Sequence, residues 1–194
     1  MLCRRLLLTD FVTELRTSLT HAENGEKLQH NPIYARAQLA SLLREIGLTA
    51  EARQEGDAVL ALLQTMPQPT MSHHVSRHMF RALARAHEGA GHDTDALKWY
   101  GDFVRFGSQS KTCSGCHDAE GPRTMAFYRD WWAGRKFAEY AVKTGEAATL
   151  IAAHESTLAQ IPRSASAQLS LAYLYEARGE TTRAEEMWRR LLGS

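Results

Sequence analysis

Two thiols and an imidazole stand together in one short stretch: Cys113 and Cys116, three positions apart, followed at once by His117. Thiols at that spacing can each bond one vinyl group of a porphyrin, and the adjacent imidazole can then ligate the iron. The same atoms can hold zinc through soft thiolates and a ring nitrogen, although neighbouring Cys116 and His117 make an awkward pair on one small ion. They can also cycle as a dithiol, a chemistry more often seated at a strand–helix junction. A fourth reading is that the pattern carries no site. The stretch runs from Lys111 to Pro122, KTCSGCHDAEGP, and uses two of the chain's three cysteines. Cys3, beside Arg4 and Arg5, reads as a free thiol, so no disulfide framework is available.

The bulk composition bounds the rest. A chain of 194 residues suffices for one domain, 1–194, with a real core. Lys plus Arg total 23 against 22 for Asp plus Glu, a balance with no electrostatic footprint for nucleic acid or an anionic membrane. No apolar run is long enough to span a bilayer, so membrane insertion is not expected. The opening Met1-Leu-Cys-Arg-Arg-Leu-Leu-Leu starts like an export signal. Its apolar run stops at Thr9-Asp10, and no small-residue cleavage site follows. That reads as a cytoplasmic chain, whereas covalent haem attachment occurs outside the cytoplasm and would imply an exported one. No glycine-rich phosphate loop or nucleophile elbow occurs. Glu45, Glu88, Glu139 and Glu176, near helix ends, read as solvated charges. A non-enzymatic, binding role is the expectation.

The elements that must position the cysteines are helical throughout, because β-branched content is too low for a sheet. Thr9 to Ala22 is a helix, capped by Thr9 or Asp10, with Phe11, Leu15 and Leu19 as its stripe and Asn24-Gly25 as its end. Asn31-Pro32 opens a second, with Leu39, Leu42, Leu43 and Ile46 apolar and Gly47 as its stop. Thr49 to Leu63 follows, through Ala52, Val59, Leu60 and Leu63. After a Met66–Pro69 linker, a helix runs from about Ser72 to Glu88 and ends at Gly89 and Gly91. Asp93 or Thr94 caps the next, which ends at Gly107, where the cysteine loop 107–122 is inserted. Then come an aromatic helix from Arg123 to Thr144, Glu146 to Ile161, Ala165 to Arg178, and Thr181 to Leu192.

These helices repeat in pairs. Gly145 to Gly179 is 34 residues, the period of a helix-turn-helix solenoid unit. Leu39-Ala40, Leu83-Ala84, Phe137-Ala138 and Leu171-Ala172 lie eight and seven residues before Gly47, Gly91, Gly145 and Gly179. Five residues after three of those glycines stands an alanine, Ala52, Ala96 or Ala184; Leu150 takes the place in the third pair. Small side chains let two helix backbones approach, and the large neighbour fills the groove beside them. Pro162 closes the preceding pair.

The pattern resembles the tetratricopeptide repeat (TPR) family, best over Ala165 to Leu192 through Leu171, Ala172, Tyr175, Gly179, Ala184 and Trp188. The resemblance implies an all-α solenoid of about four repeats, approximately 31–64, 73–106, 123–161 and 164–192. Longer spacings of 44 and 54 residues, Gly47 to Gly91 and Gly91 to Gly145, mark inserted linkers. The family commonly binds extended peptides on the face made by the first helix of each pair. By register that face includes Tyr34, Arg44, Arg81, Arg85, Trp132, Arg135 and Tyr173, which suits a carboxylate-bearing or acidic peptide. The segment CSGCHDAEG is similar to the attachment site of small c-type cytochromes. That implies thioethers at Cys113 and Cys116 and proximal ligation by His117, with zinc or no cofactor as the alternatives. In a helical hairpin the loop should lie at the edge where the paired helix begins, near His73, His74 and His78. His74 or His78, or Met125 nearby in sequence, is then a candidate second ligand. Phe127 with Trp131 and Tyr128 with Trp132, each four apart, give the helix after the loop two aromatic stripes. One is expected in the core; the other could wall a porphyrin or meet a partner.

Overall fold

The computed structural model describes residues 2–23, 32–66, 76–109 and 131–192, and among these the chain is all-helical, with no strand. The elements are α1 (Leu2–Glu23), α2 (Pro32–Glu45), α3 (Thr49–Gln64), α4 (Ser76–Ala90), α5 (Asp93–Gln109), α6 (Trp131–Lys143), α7 (Ala147–Gln160), α8 (Ala165–Ala177) and α9 (Thr181–Leu192). They group into two compact units, Met1–Pro69 with His78–Ala96, and Thr70–Arg77 with Leu97–Ser194. No helix of the described residues is long and apolar enough to cross a membrane.

Four turns repeat one device. Gly47, Gly91, Gly145 and Gly179 all have positive φ, between 74° and 92°. That left-handed conformation is nearly free for glycine and costs an L side chain ~1–2 kcal/mol. It turns the chain so that orphan carbonyls of the finished helix are satisfied. The N–H of Leu48 donates to the Leu43 carbonyl, His92 to His87, and Glu180 to Tyr175, each at 2.9 Å. The glycine N–H itself bonds three residues back, to Arg44, Glu88, Val142 and Glu176. The residue after the glycine is also the last one before the next helix. Its carbonyl accepts the first helical bond of that helix, from Ala52, Ala96, Leu150 and Ala184 respectively. This tight join moves the expected cap. Asp93 is already the first residue of α5, so His92, not Asp93 or Thr94, stands at the boundary.

Each Leu-Ala or Phe-Ala pair in the glycine register is buried, as are Ala52, Ala96 and Ala184. Helix bounds differ from the sequence expectation in three places. The first helix begins at Leu2, so Thr9 and Asp10 are interior to it rather than caps. Its buried stripe is Val12 and Leu19 flanked by Leu8 and Leu15, while Phe11 is 39% exposed. Thr13, Thr17 and Thr20 return their hydroxyls to carbonyls four residues back, which keeps them compatible with a helix interior. Gly89 does not end α4 but lies within it, and α5 continues past Gly107 to Gln109.

The first unit is closed by glycines that let helices touch. A Cβ built on Gly56 of α3 would stand 2.5 Å from the Ala90 nitrogen and 2.6 Å from the Ala86 oxygen of α4. One on Gly89 would stand 2.5 Å from the Ala40 Cβ of α2. In the second unit Gly134 of α6 does the same for the Tyr173 ring of α8, 2.0 Å from an added Cβ. Alanine in a helix interior is ordinarily worth ~1 kcal/mol over glycine. At Gly56 the obstacle is backbone, which cannot swing aside, and overpacking costs ~1–3 kcal/mol. Gly56→Ala should therefore lower the urea midpoint of unfolding. A raised midpoint would contradict the close α3–α4 approach.

Candidate functional site

Of the residues the sequence assigns to cofactor chemistry, Cys113, Cys116 and His117 lie outside the described residues, as do His74, Met125, Phe127 and Tyr128. His78 is described. It is exposed in the first turn of α4, and its ring stacks on Tyr34 of α2 at 5.6 Å and 30°.

That stack is one rung of a ladder between α2 and α4 in the first unit. Residues 34, 38, 41 and 44 recur about once per turn of α2 and line one face. They meet residues of α4 and the start of α5. Arg85 donates to Gln38 Oε1 at 3.2 Å, and Ser41 Oγ donates to Glu88 Oε2 at 2.7 Å. Arg44 pairs with Asp93 at 3.4 Å. Glu88 is only 2% exposed, which corrects its reading as a solvated charge. It sits where α4 backs onto α2, and the sequence shows only a glutamate near a helix end. Of the arginine-rich face expected to meet a partner, Tyr34, Arg44 and Arg85 thus make pairs within the protein, and Arg81 is half-buried beside them.

The second unit places the remaining three. Trp132 is turned inward, edge-on to Tyr100 at 6.0 Å and tilted against Phe103 at 5.8 Å. Tyr100 also stacks on Tyr140 at 5.9 Å. The exposed aromatic is its neighbour Trp131, 50% accessible, with the Arg135 guanidinium 4.8 Å from its ring centre. Of the two stripes expected on this helix, Trp132 faces the core and Trp131 faces solvent.

Arg135 and Tyr173 come together on an open groove of about 490 Å³ between α6 and α8. Ala138 and Val142 give it an apolar floor, and Glu139 and Glu176 stand on its rim. Val142 is 48% exposed, unusual for a valine in a structured helix and a consequence of this open face. Tyr173 is buried and forms a wall, its ring edge-on to Trp188 at 5.0 Å. Trp188 Nε1 in turn donates to Glu176 Oε1 at 2.8 Å and holds that carboxylate at the rim. Charge on the groove is mixed: one guanidinium and two carboxylates. The sequence placed Arg135 and Tyr173 on this face by register. It gave no sign that Glu139 and Glu176 join them, because that depends on which faces of α6 and α8 meet.

Behind the groove, α8 is held by Tyr175, whose hydroxyl donates to Glu155 Oε1 of α7 at 2.6 Å. Arg183 of α9 bonds the same oxygen and lies over the Tyr175 ring at 4.2 Å. The Tyr175 hydrogen bond is the main reason the Glu155 carboxyl is held below its usual range, with Arg183 adding to it. Burial, then the bond to Glu155, pushes the Tyr175 phenol up. His154, next in sequence, is lowered by burial and by Arg105.

A further cluster escaped the sequence reading. His87, His92 and Asp95 each bring one ligating atom within 4.8 Å of the other two. Their spacing of five and three bridges a turn and matches no helix-face rule. No protein-family model, curated protein or solved structure matches the chain.

The lowered carboxyl has a testable sign. A depressed folded value stabilises the protein above the ordinary carboxylate range, and this contribution is lost as pH falls through the folded value. Tyr175→Phe removes the largest cause. The titration midpoint of the Glu155 carboxyl, followed by NMR, should move upward, and stability should fade at a higher pH than in the parent. An unmoved midpoint would show that Tyr175 is not the cause.

Proposed function

We propose that this chain is a non-enzymatic, TPR-like helical scaffold that binds a peptide segment of a partner and carries a c-type haem on its cysteine loop. The observation that carries the binding half is the α6–α8 groove, where Arg135 and Tyr173 meet over an apolar floor of Ala138 and Val142. The repeated glycine turns, with buried Leu-Ala and Phe-Ala pairs at constant offset, support the repeat reading. Two carboxylates beside Arg135 favour a peptide with an apolar side chain between a carboxylate and a cationic group. This is narrower than the acidic ligand expected from the arginines alone, since three residues of that face in the first unit pair internally. The haem half rests on Cys113-Ser-Gly-Cys116-His117. Zinc held by the same thiolates is the alternative, and an electron-carrying role follows if the bound haem is redox-active.

Expression with export and haem-attachment machinery tests the cofactor. The expected product is a red chain whose colour survives acid and denaturant, because thioethers do not release, whereas zinc thiolates do. Cys113→Ala or Cys116→Ala should leave at most one thioether, and His117→Ala should shift the spectrum. A colourless chain that loses stability with chelator would replace haem by zinc. For the groove, Arg135→Glu and Val142→Asp alter exposed positions and should each abolish co-purification of a partner from the native host without changing the helical circular dichroism. Unchanged recovery would remove the groove from the account.

A further inference from the structure

The turn between α4 and α5 differs chemically from its three counterparts. In three of the four turns the N–H of the residue after the glycine donates to the carbonyl of the residue four before the glycine. Those pairs are Leu43 with Leu48 and Tyr175 with Glu180, but here they are His87 with His92. Glycine geometry does not require histidine at either place. The His92 N–H donates to the His87 carbonyl at 2.9 Å, so the backbone itself holds the two imidazoles together. Their Nδ1 atoms face each other at 3.4 Å. Asp95, one turn into α5, brings Oδ2 to 3.8 Å from the same His87 Nδ1.

The histidine pair stands at the long end of hydrogen-bonding distance, and the His87–Asp95 contact lies beyond it. Nitrogen and oxygen ligands ~2.0–2.2 Å from a tetrahedral zinc stand ~3.3–3.6 Å apart along the tetrahedral edge. The histidine pair fits this edge as it stands, and exposed Asp95, 3.8 Å from His87 and within 4.8 Å of His92, closes on it by turning its side chain. Electrostatics at the turn are nearly balanced. The carbonyl end of α4 favours a cation and the amide end of α5 opposes one. Asp93, the other acid in the first turn of α5, pairs with Arg44. Asp95 therefore supplies the net negative charge.

We propose that His87 Nδ1, His92 Nδ1 and Asp95 Oδ2 form a zinc site with one coordination position left open to water or to a donor from a partner. Three protein ligands with the fourth position open set this site apart from closed, four-ligand structural zinc centres. All three ligands come from α4, α5 and the turn between them.

Titration calorimetry of the 194-residue chain with zinc chloride tests it, alongside a Cys113→Ser, Cys116→Ser variant that removes the paired thiols of the cysteine loop. One zinc per chain should bind to the double-serine variant. His92→Gln and Asp95→Asn, both at exposed positions, should each weaken that binding at least tenfold. His87→Gln should do the same, but His87 is half-buried, so the two exposed changes decide the matter. No zinc binding by the double-serine variant, or binding unchanged by both His92→Gln and Asp95→Asn, overturns the proposal.

Discussion

A left-handed residue at the end of a helix is the constraint from which the described structure follows. At Gly47, Gly91, Gly145 and Gly179 the backbone takes a φ that L side chains avoid. The next helix begins two residues later. This brief join leaves no room for a hydroxyl cap. Leu48 and Glu146, at the N-cap positions of α3 and α7, make no side-chain cap bond. By contrast, α8 follows the longer Pro162 connection, and there Ser164 caps it by accepting from the Ala167 N–H. Gln168 reinforces that connection through the Pro162 carbonyl. Tight glycine turns and capped proline turns thus solve the same problem of unsatisfied helix ends in two ways.

With helix partners set by turns, packing within each unit is decided by how closely backbones approach. Gly56 and Gly89 admit α4 against α3 and α2, and Gly134 admits the Tyr173 ring against α6. That last approach places Tyr173 as the wall of the groove, so the candidate site depends on a missing side chain as much as on the ones present. Ser41 and Glu88, buried between α2 and α4, are paired with each other. The arginine-bearing surface of the first unit is organised by its own pairs. The groove of the second unit keeps Arg135 at an exposed position over Trp131.

Much of this was legible in the sequence because it is local. Glycine spacing marks the turns, and residues at fixed distances from a glycine must fall on the same face of their helix, so the burial of Leu39, Leu83, Phe137 and Leu171 followed from counting. What was not legible depends on tertiary neighbours. Trp131 and Trp132 are adjacent and chemically identical, and only the position of Tyr100 and Phe103 determines which turns inward. Glu88 looks like any glutamate near a helix end until α2 closes over it. The approach of His87 to His92 runs across a non-helical turn, where face rules do not apply. Register expected Arg135 and Tyr173 on one face, and both line the groove, whereas Glu139 and Glu176 became part of it only through the packing of α6 on α8.

The most direct measurement is equilibrium unfolding of Gly179→Ala and Gly179→Asn. No atom lies within 4 Å of a Cβ placed at Gly179, so alanine meets no steric obstacle there and its cost reports backbone conformation. The account predicts that alanine costs ~1–2 kcal/mol in the left-handed region and that asparagine, which tolerates it, costs less. An alanine variant as stable as the parent or more so, as expected of an ordinary helical position, would contradict it.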